Sequence, residues 1–161
     1  VGNFTINNGQ VDLTSFVFVG TGTGEMTVNL QSTVKVNIEN GDGGTATLYD
    51  QNGNVIDTQV LAGEWDAGNV LYQKRYMVAS GGAITENTLT TYEPFRLVVQ
   101  KSGYQNFDTG YNINVTAGEE TNIQGMMVES SQIGSDLSGE LSDSTDLTGE
   151  LTESSDLTAT L

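Results

Sequence analysis

Phe95-Arg96-Leu97-Val98-Val99-Gln100-Lys101-Ser102-Gly103-Tyr104 is the stretch whose reading decides the fold. Phe95, Leu97 and Val99 recur with a period of two, and Arg96, Val98 and Gln100 fill the positions between them. That is the signature of a strand with one face on a core, because successive side chains in a strand point to opposite sides. Lys101 to Tyr104 then turns the chain. Beyond it Tyr111, Ile113 and Val115 share a face again, and Thr116-Ala117-Gly118-Glu119-Glu120-Thr121-Asn122-Ile123 turns into a closing strand. The pattern predicts that Phe95, Leu97, Val99, Tyr111, Ile113 and Val115 are buried, and that Arg96, Asn112 and Asn114 face water.

The same alternation runs backward from this stretch. Val34, Val36 and Ile38 alternate with Lys35, Asn37 and Glu39. Gly41 to Gly44 supplies a turn, and Thr45 to Tyr49 a further strand. In Asp50-Gln51-Asn52-Gly53-Asn54 the Asn-Gly pair suits the positive φ of a tight hairpin, with Val55 to Leu61 as the returning strand. After the loop Gly63-Glu64-Trp65-Asp66-Ala67-Gly68, a strand is expected near Val70 to Val78. Gly81-Gly82 breaks it, and a polar strand or loop continues through Thr91.

The run from Phe95 to Tyr104, taken with Ile113-x-Val115-x-Ala117-Gly118-x-x-Thr121-x-Ile123, resembles the closing strands of transthyretin-like, carboxypeptidase-regulatory-like domains. The likeness covers about 90 residues and is strongest over 94–123. It implies an all-β fold, a seven-stranded Greek-key sandwich of the prealbumin or Ig-like kind. Such modules occur in enzymes, adhesins, pilins and virion proteins, so the likeness speaks to fold more than to task.

Three regions follow, with the sandwich assigned to 33–129. Residues 1–32 form an N-terminal β arm: Val11 to Val19 places apolar groups on both faces, Gly20 to Gly24 is a joint, and Met26, Val28 and Leu30 begin a second strand. Residues 130–161 are a ten-residue β-repeat. Its apolar positions are Leu137, Leu141, Leu147, Leu151, Leu157 and Leu161, preceded by Ile133. A helix turns about 100° per residue, so each Leu pair would land about 80° from the one before, and no stripe would form. In a strand all seven positions fall on one face. A lone strand with half an apolar face is not stable. The repeat therefore predicts an extended β fibre of several chains, a homotrimer with those Leu side chains at the oligomer interface. The repeat also resembles the short Leu-x-Gly-x-Leu units of tailed-bacteriophage fibre proteins.

Composition narrows the functions. Five basic residues stand against 21 acidic ones, a net charge of −16. Such a surface repels phosphate backbones and anionic lipid, which argues against nucleic acid and membrane as partners. The absence of Cys and His removes disulfides, thiolate nucleophiles, Ser-His machinery and the usual zinc ligands. No apolar run reaches the roughly 20 residues of a membrane helix. The chain begins at Val1 without an initiator Met, as a processed or partial chain would.

Candidate chemistry is sparse. Scattered carboxylates fit an acidic surface better than a glycosidase pair. Asp50 to Asp57 offers alternate oxygens, but Gly53 stands fourth and Leu61 twelfth, where an EF-hand loop needs Gly at the sixth position and Glu at the twelfth. A plain hairpin is the better account; stacked Asp136, Asp146 and Asp156 of an oligomeric fibre are a better calcium guess, although plain solvation accounts more readily for them too. Trp65 and Tyr72, with Tyr76 nearby, could form a sugar-stacking platform, although a sandwich's one Trp more often plugs its core. Lys35 and Lys101 could in principle form isopeptide links of the kind known in similar adhesin domains, but Lys35 sits on a wet strand face. No metal site, no cofactor and no catalysis are expected. The resulting expectation is a structural virion protein of a tailed phage, a head fibre, capsid decoration or fibre-base subunit. It would associate with itself and with another virion or surface structural protein. The rival expectation is an extracellular, cell-surface or pilus-like module that binds carbohydrate.

Overall fold

The structure, a computed structural model, describes residues 1–15 and 21–130. These residues form an all-β fold with two sheets. The strands are β1 (Gly2–Asn7), β2 (Gly24–Glu39), β3 (Thr45–Tyr49), β4 (Val55–Val60), β5 (Trp65–Ser80), β6 (Ala83–Thr91), β7 (Arg96–Gln100), β8 (Phe107–Asp108) and β9 (Thr121–Met126), with a 3-10 turn at Leu13–Ser15.

The first sheet is built on β2, which pairs antiparallel with β5 along one edge. On its other edge β2 pairs in parallel with β1 over Met26–Gln31 and with β9 over Val34–Glu39, so these two strands lie end to end. Beyond β5 lies β6, joined by the Gly81-Gly82 hairpin. The second sheet has the order β4-β3-β7-β8. The β3–β4 hairpin closes at Asp50–Asn54 with Gly53 at φ 81°, as the Asn-Gly pair predicts.

Every second residue of β2 from Val28 to Ile38 is buried, and Ala46, Leu48, Phe95, Leu97 and Val99 are buried on the second sheet. Strand β5 holds its inward face through two irregularities. Its pairing with β2 shifts between Thr33 and Lys35, where Gly68 takes φ 70°, and again between Leu30 and Gln31. The second shift changes the inward set from Val70 and Tyr72 to Arg75, Met77 and Ala79.

Three expectations change here. The arm and the sandwich are not divided at residue 32, because β2 runs unbroken from Gly24 to Glu39. In the stretch expected as a strand from Val11, the described part contains a 3-10 turn at Leu13–Ser15, where the Asp12 side chain accepts from the backbone and hydroxyl of Thr14. Tyr111 is 40% exposed and Ile113 and Val115 are half-buried, since this segment makes a single bridge, Phe95 to Ile113, instead of a strand. Phe95, Leu97 and Val99 are fully buried and Asn112 and Asn114 exposed, as the alternation requires, while Arg96 is half-buried.

The described residues divide into two compact units, 1–102 with 106–127, and 103–105 with 128–130. In the second unit the Gln105 amide donates to Val128 (2.8 Å), the Ser130 amide to Gly103 (2.9 Å) and the Tyr104 hydroxyl to Glu129 (3.2 Å). The residues expected at the oligomer interface, Leu137, Leu141, Leu147, Leu151, Leu157 and Leu161, and the candidate calcium aspartates Asp136, Asp146 and Asp156, lie outside the described residues.

Candidate functional site

Trp65 opens β5 opposite Val36 and is 7% exposed, and Tyr72, seven residues on, is 5% exposed. Neither ring offers a face to a sugar. Trp65 acts as a core plug for the same reason that Val36 is buried, since the two share one inward row. The Tyr72 hydroxyl has no hydrogen-bond partner. Burial and the nearby Glu93 carboxylate both raise its pKa, so it stays a neutral phenol. Tyr76 points the other way, to the polar face.

The Asp50 turn is a capped hairpin. One carboxylate oxygen accepts from the backbone amides of Asn52 (2.8 Å) and Asn54 (2.9 Å), and the other accepts from the Asn54 side chain (2.9 Å). Burial pushes the Asp50 carboxyl up, and the hydrogen bonds from Asn54 and Asn52 outweigh it, so the net shift is downward. Its oxygens are thus turned to N–H donors, an arrangement that closes a turn without a cation. Among the described residues no group of three or more His, Cys, Asp or Glu side chains gathers as a metal site would.

Lys35 pairs with Glu120 at 3.0 Å on the outer face, and Lys101 donates to the Asn40 carbonyl at 2.7 Å. An isopeptide link needs a desolvated amine, and Lys35 is instead a partly exposed cation whose pKa the Glu120 contact raises. On the outside of the second sheet Arg96 grips Asp108 with two bonds, 2.9 and 2.5 Å, and its guanidinium lies 5.6 Å from the Tyr111 ring centre and 6.0 Å from that of Tyr49. Sequence alternation could assign Arg96 an outward face, but not this clamp. Its ionic partner Asp108 sits where β8 passes into a turn ending at Gly110, whose Asx geometry (Gly110 amide to Asp108, 2.8 Å) carries no periodic signal. A shallow groove of about 380 Å³ is lined by Asn37, Glu39, Gln124 and Gly125.

The two sheets also end in backbone edges. β6 terminates the first sheet and β4 the second, each with one side unpaired among the described residues. All six residues of β4 are exposed, as are Ala83 to Leu89 of β6. Such edges can accept another strand, with N–H and C=O groups as the recognition element.

Comparison with family models, with curated proteins and with solved structures finds no match.

Proposed function

We propose that this chain is a non-catalytic structural subunit of a tailed-phage virion, a head-fibre, capsid decoration or fibre-base protein located in the particle. Its sandwich attaches it to another structural protein, and its repeat assembles as a homotrimer. The observation that carries this reading is the repeat from Ile133 to Leu161, whose seven apolar positions all fall at odd numbers, so that as a strand they would share one face and need partner chains to cover them. The strand order adds support. With β1 and β6 set aside, seven strands remain. Of these, β5-β2-β9 make one sheet and β4-β3-β7-β8 the other. The chain crosses to β5 after β4 and returns to lay β7 on the far side of β3, the type of connection a prealbumin-like Greek key requires.

Sedimentation of the full chain tests the assembly. Replacing Leu147 and Leu151 by Ser in every copy of a trimer removes six buried Leu contacts, on the order of 10 kcal/mol. The expected product is a chain that no longer trimerises, with its sandwich intact. An unchanged oligomer would overturn trimerisation through the repeat. Mass spectrometry of the native particle, identifying co-purifying proteins, tests the virion assignment. Selective glycan-array binding by the unmodified chain would favour the carbohydrate-binding adhesion module instead.

A further inference from the structure

The unpaired edges differ in how well they are guarded. β8 has two residues, and the β1/β9 edge is interrupted where the two strands meet end to end. The β4 edge is six residues long, with a register shift opposite Tyr49. β6 is nine residues long. Its irregularity falls at its start, between the pairs Val78–Glu86 and Ala79–Ile84, so among the described residues Glu86 to Thr90 runs regular and open, while the Thr91 carbonyl accepts from the Gln51 side chain. Natural sheets blunt such an edge with Lys, Pro or a central bulge. Ala83-Ile84-Thr85-Glu86-Asn87-Thr88-Leu89-Thr90-Thr91 contains neither Lys nor Pro. Ile84 (42% exposed) and Leu89 (41%) continue the rows of buried Ala79 and Arg75, which carries the covered face of the sheet out to this edge.

We propose that β6 is a self-association edge, pairing antiparallel with β6 of a second copy about a two-fold axis near Thr88 and joining two five-stranded sheets into one. Charge argues for a copy of this chain as the occupant. At −16, two copies repel wherever carboxylates are dense, and β6 carries a single acidic residue, Glu86. Pairing about Thr88 sets Glu86 against Thr90 of the second copy. It leaves the two Glu86 residues four positions apart along the strand, roughly 13 Å, beyond the Debye length of about 8 Å at physiological salt. The same register sets Leu89 against Asn87 of the second copy and the two Thr88 residues against each other, a polar-to-polar and apolar-to-neutral match without a like-charge contact. A strand pairing with itself is isologous, so it closes at two copies and does not propagate into a filament. This association rests on residues outside the Leu repeat.

The test uses the full chain carrying Leu147→Ser and Leu151→Ser, so that any contribution of the repeat is removed, with and without Leu89→Lys. Sedimentation equilibrium should show a weak dimer in the first protein and a dissociation constant at least about tenfold higher once Leu89 is replaced. A first protein that stays monomeric up to about 1 mM, or a constant unchanged by Leu89→Lys, overturns the proposal. Hydrogen exchange on the unmodified chain supplies a reading free of substitution. Outward amides of Glu86–Thr91 should gain protection as protein concentration rises, and protection independent of concentration overturns the proposal. Failure of the repeat model is distinguishable, since it would leave the parent and the Leu147→Ser/Leu151→Ser chain with the same oligomer.

Discussion

The two halves of β2 bury their side chains equally and by different means. Toward its end, Val34, Val36 and Ile38 belong to a sandwich whose other layer supplies Ala46, Leu48, Phe95, Leu97 and Val99. Toward its start, Val28 and Leu30 are as deeply buried, in a sheet of β1, β2, β5 and β6 whose described cover is the chain between β1 and β2. There the Arg75 guanidinium, itself buried, donates to the Leu13 carbonyl and, at 2.8 Å, to Asn87. One half is closed by a second sheet and the other is fastened by a polar pin. The difference matters energetically. Apolar layers gain with every buried methylene, whereas a buried guanidinium must recover its desolvation cost through its hydrogen bonds.

The largest expected effect falls in the sandwiched half. Phe95→Ala, at a fully buried position, should lower stability by about 3–5 kcal/mol, read as a shifted urea midpoint with unchanged slope. A loss below about 1 kcal/mol would mean that Phe95 is not part of the core. Arg75→Met probes the pinned half with a smaller cost, about 1–3 kcal/mol, from leaving the Leu13 carbonyl and Asn87 oxygen unpartnered. Hydrogen exchange should quicken at Leu13–Ser15 and along β6 while the β7 amides keep their rates. Equal acceleration in β7 would show that the two halves unfold as one unit.

The same contrast explains what the sequence made legible. Phe95, Leu97 and Val99 could be read directly, because a strand covered on one face writes its environment as a period of two. The Asn52-Gly53 hairpin was legible because few residues take its φ. In β5 the alternation is broken where the pairing shifts, so Val70 and Tyr72 fall out of phase with Arg75, Met77 and Ala79. The trace of the earlier irregularity is Asp66 capping the Gly68 amide at 2.8 Å, a short Asx turn inside a strand. β1 went unread because Asn, Phe, Thr, Ile and Asn on a parallel edge bury little and alternate weakly. Arg75 gave no signal at all: its burial depends on the Leu13 carbonyl, 62 positions away. Tyr111 failed for the opposite reason. It sits in phase with Ile113 and Val115, yet it is held outward over Arg96.

The Arg96–Asp108 clamp provides the smallest effect and one whose sign is fixed. The bonds from Arg96, then that from the Gly110 amide, hold the Asp108 carboxyl down at about 2, against about 3.9 in an unfolded chain. A carboxyl depressed by folding stabilises the native state above the unfolded value, and that contribution fades as pH falls through about 4 toward 2. The whole-protein curve will not show this cleanly, because protonating other carboxylates relieves the repulsion of a −16 chain and works in the opposite direction. The informative quantity is the difference between the parent and Asp108→Asn. The parent should be the more stable above about pH 5, and the gap should close as the pH approaches 2. Both side chains are about one-third exposed, so solvent and salt screen the pair, and the gap should also shrink at about 1 M salt. A difference that stays flat from pH 5 to 2, measured by urea titration at each pH, would show that Arg96 serves the second sheet through its packing on Tyr49 and Tyr111 and not through its charge.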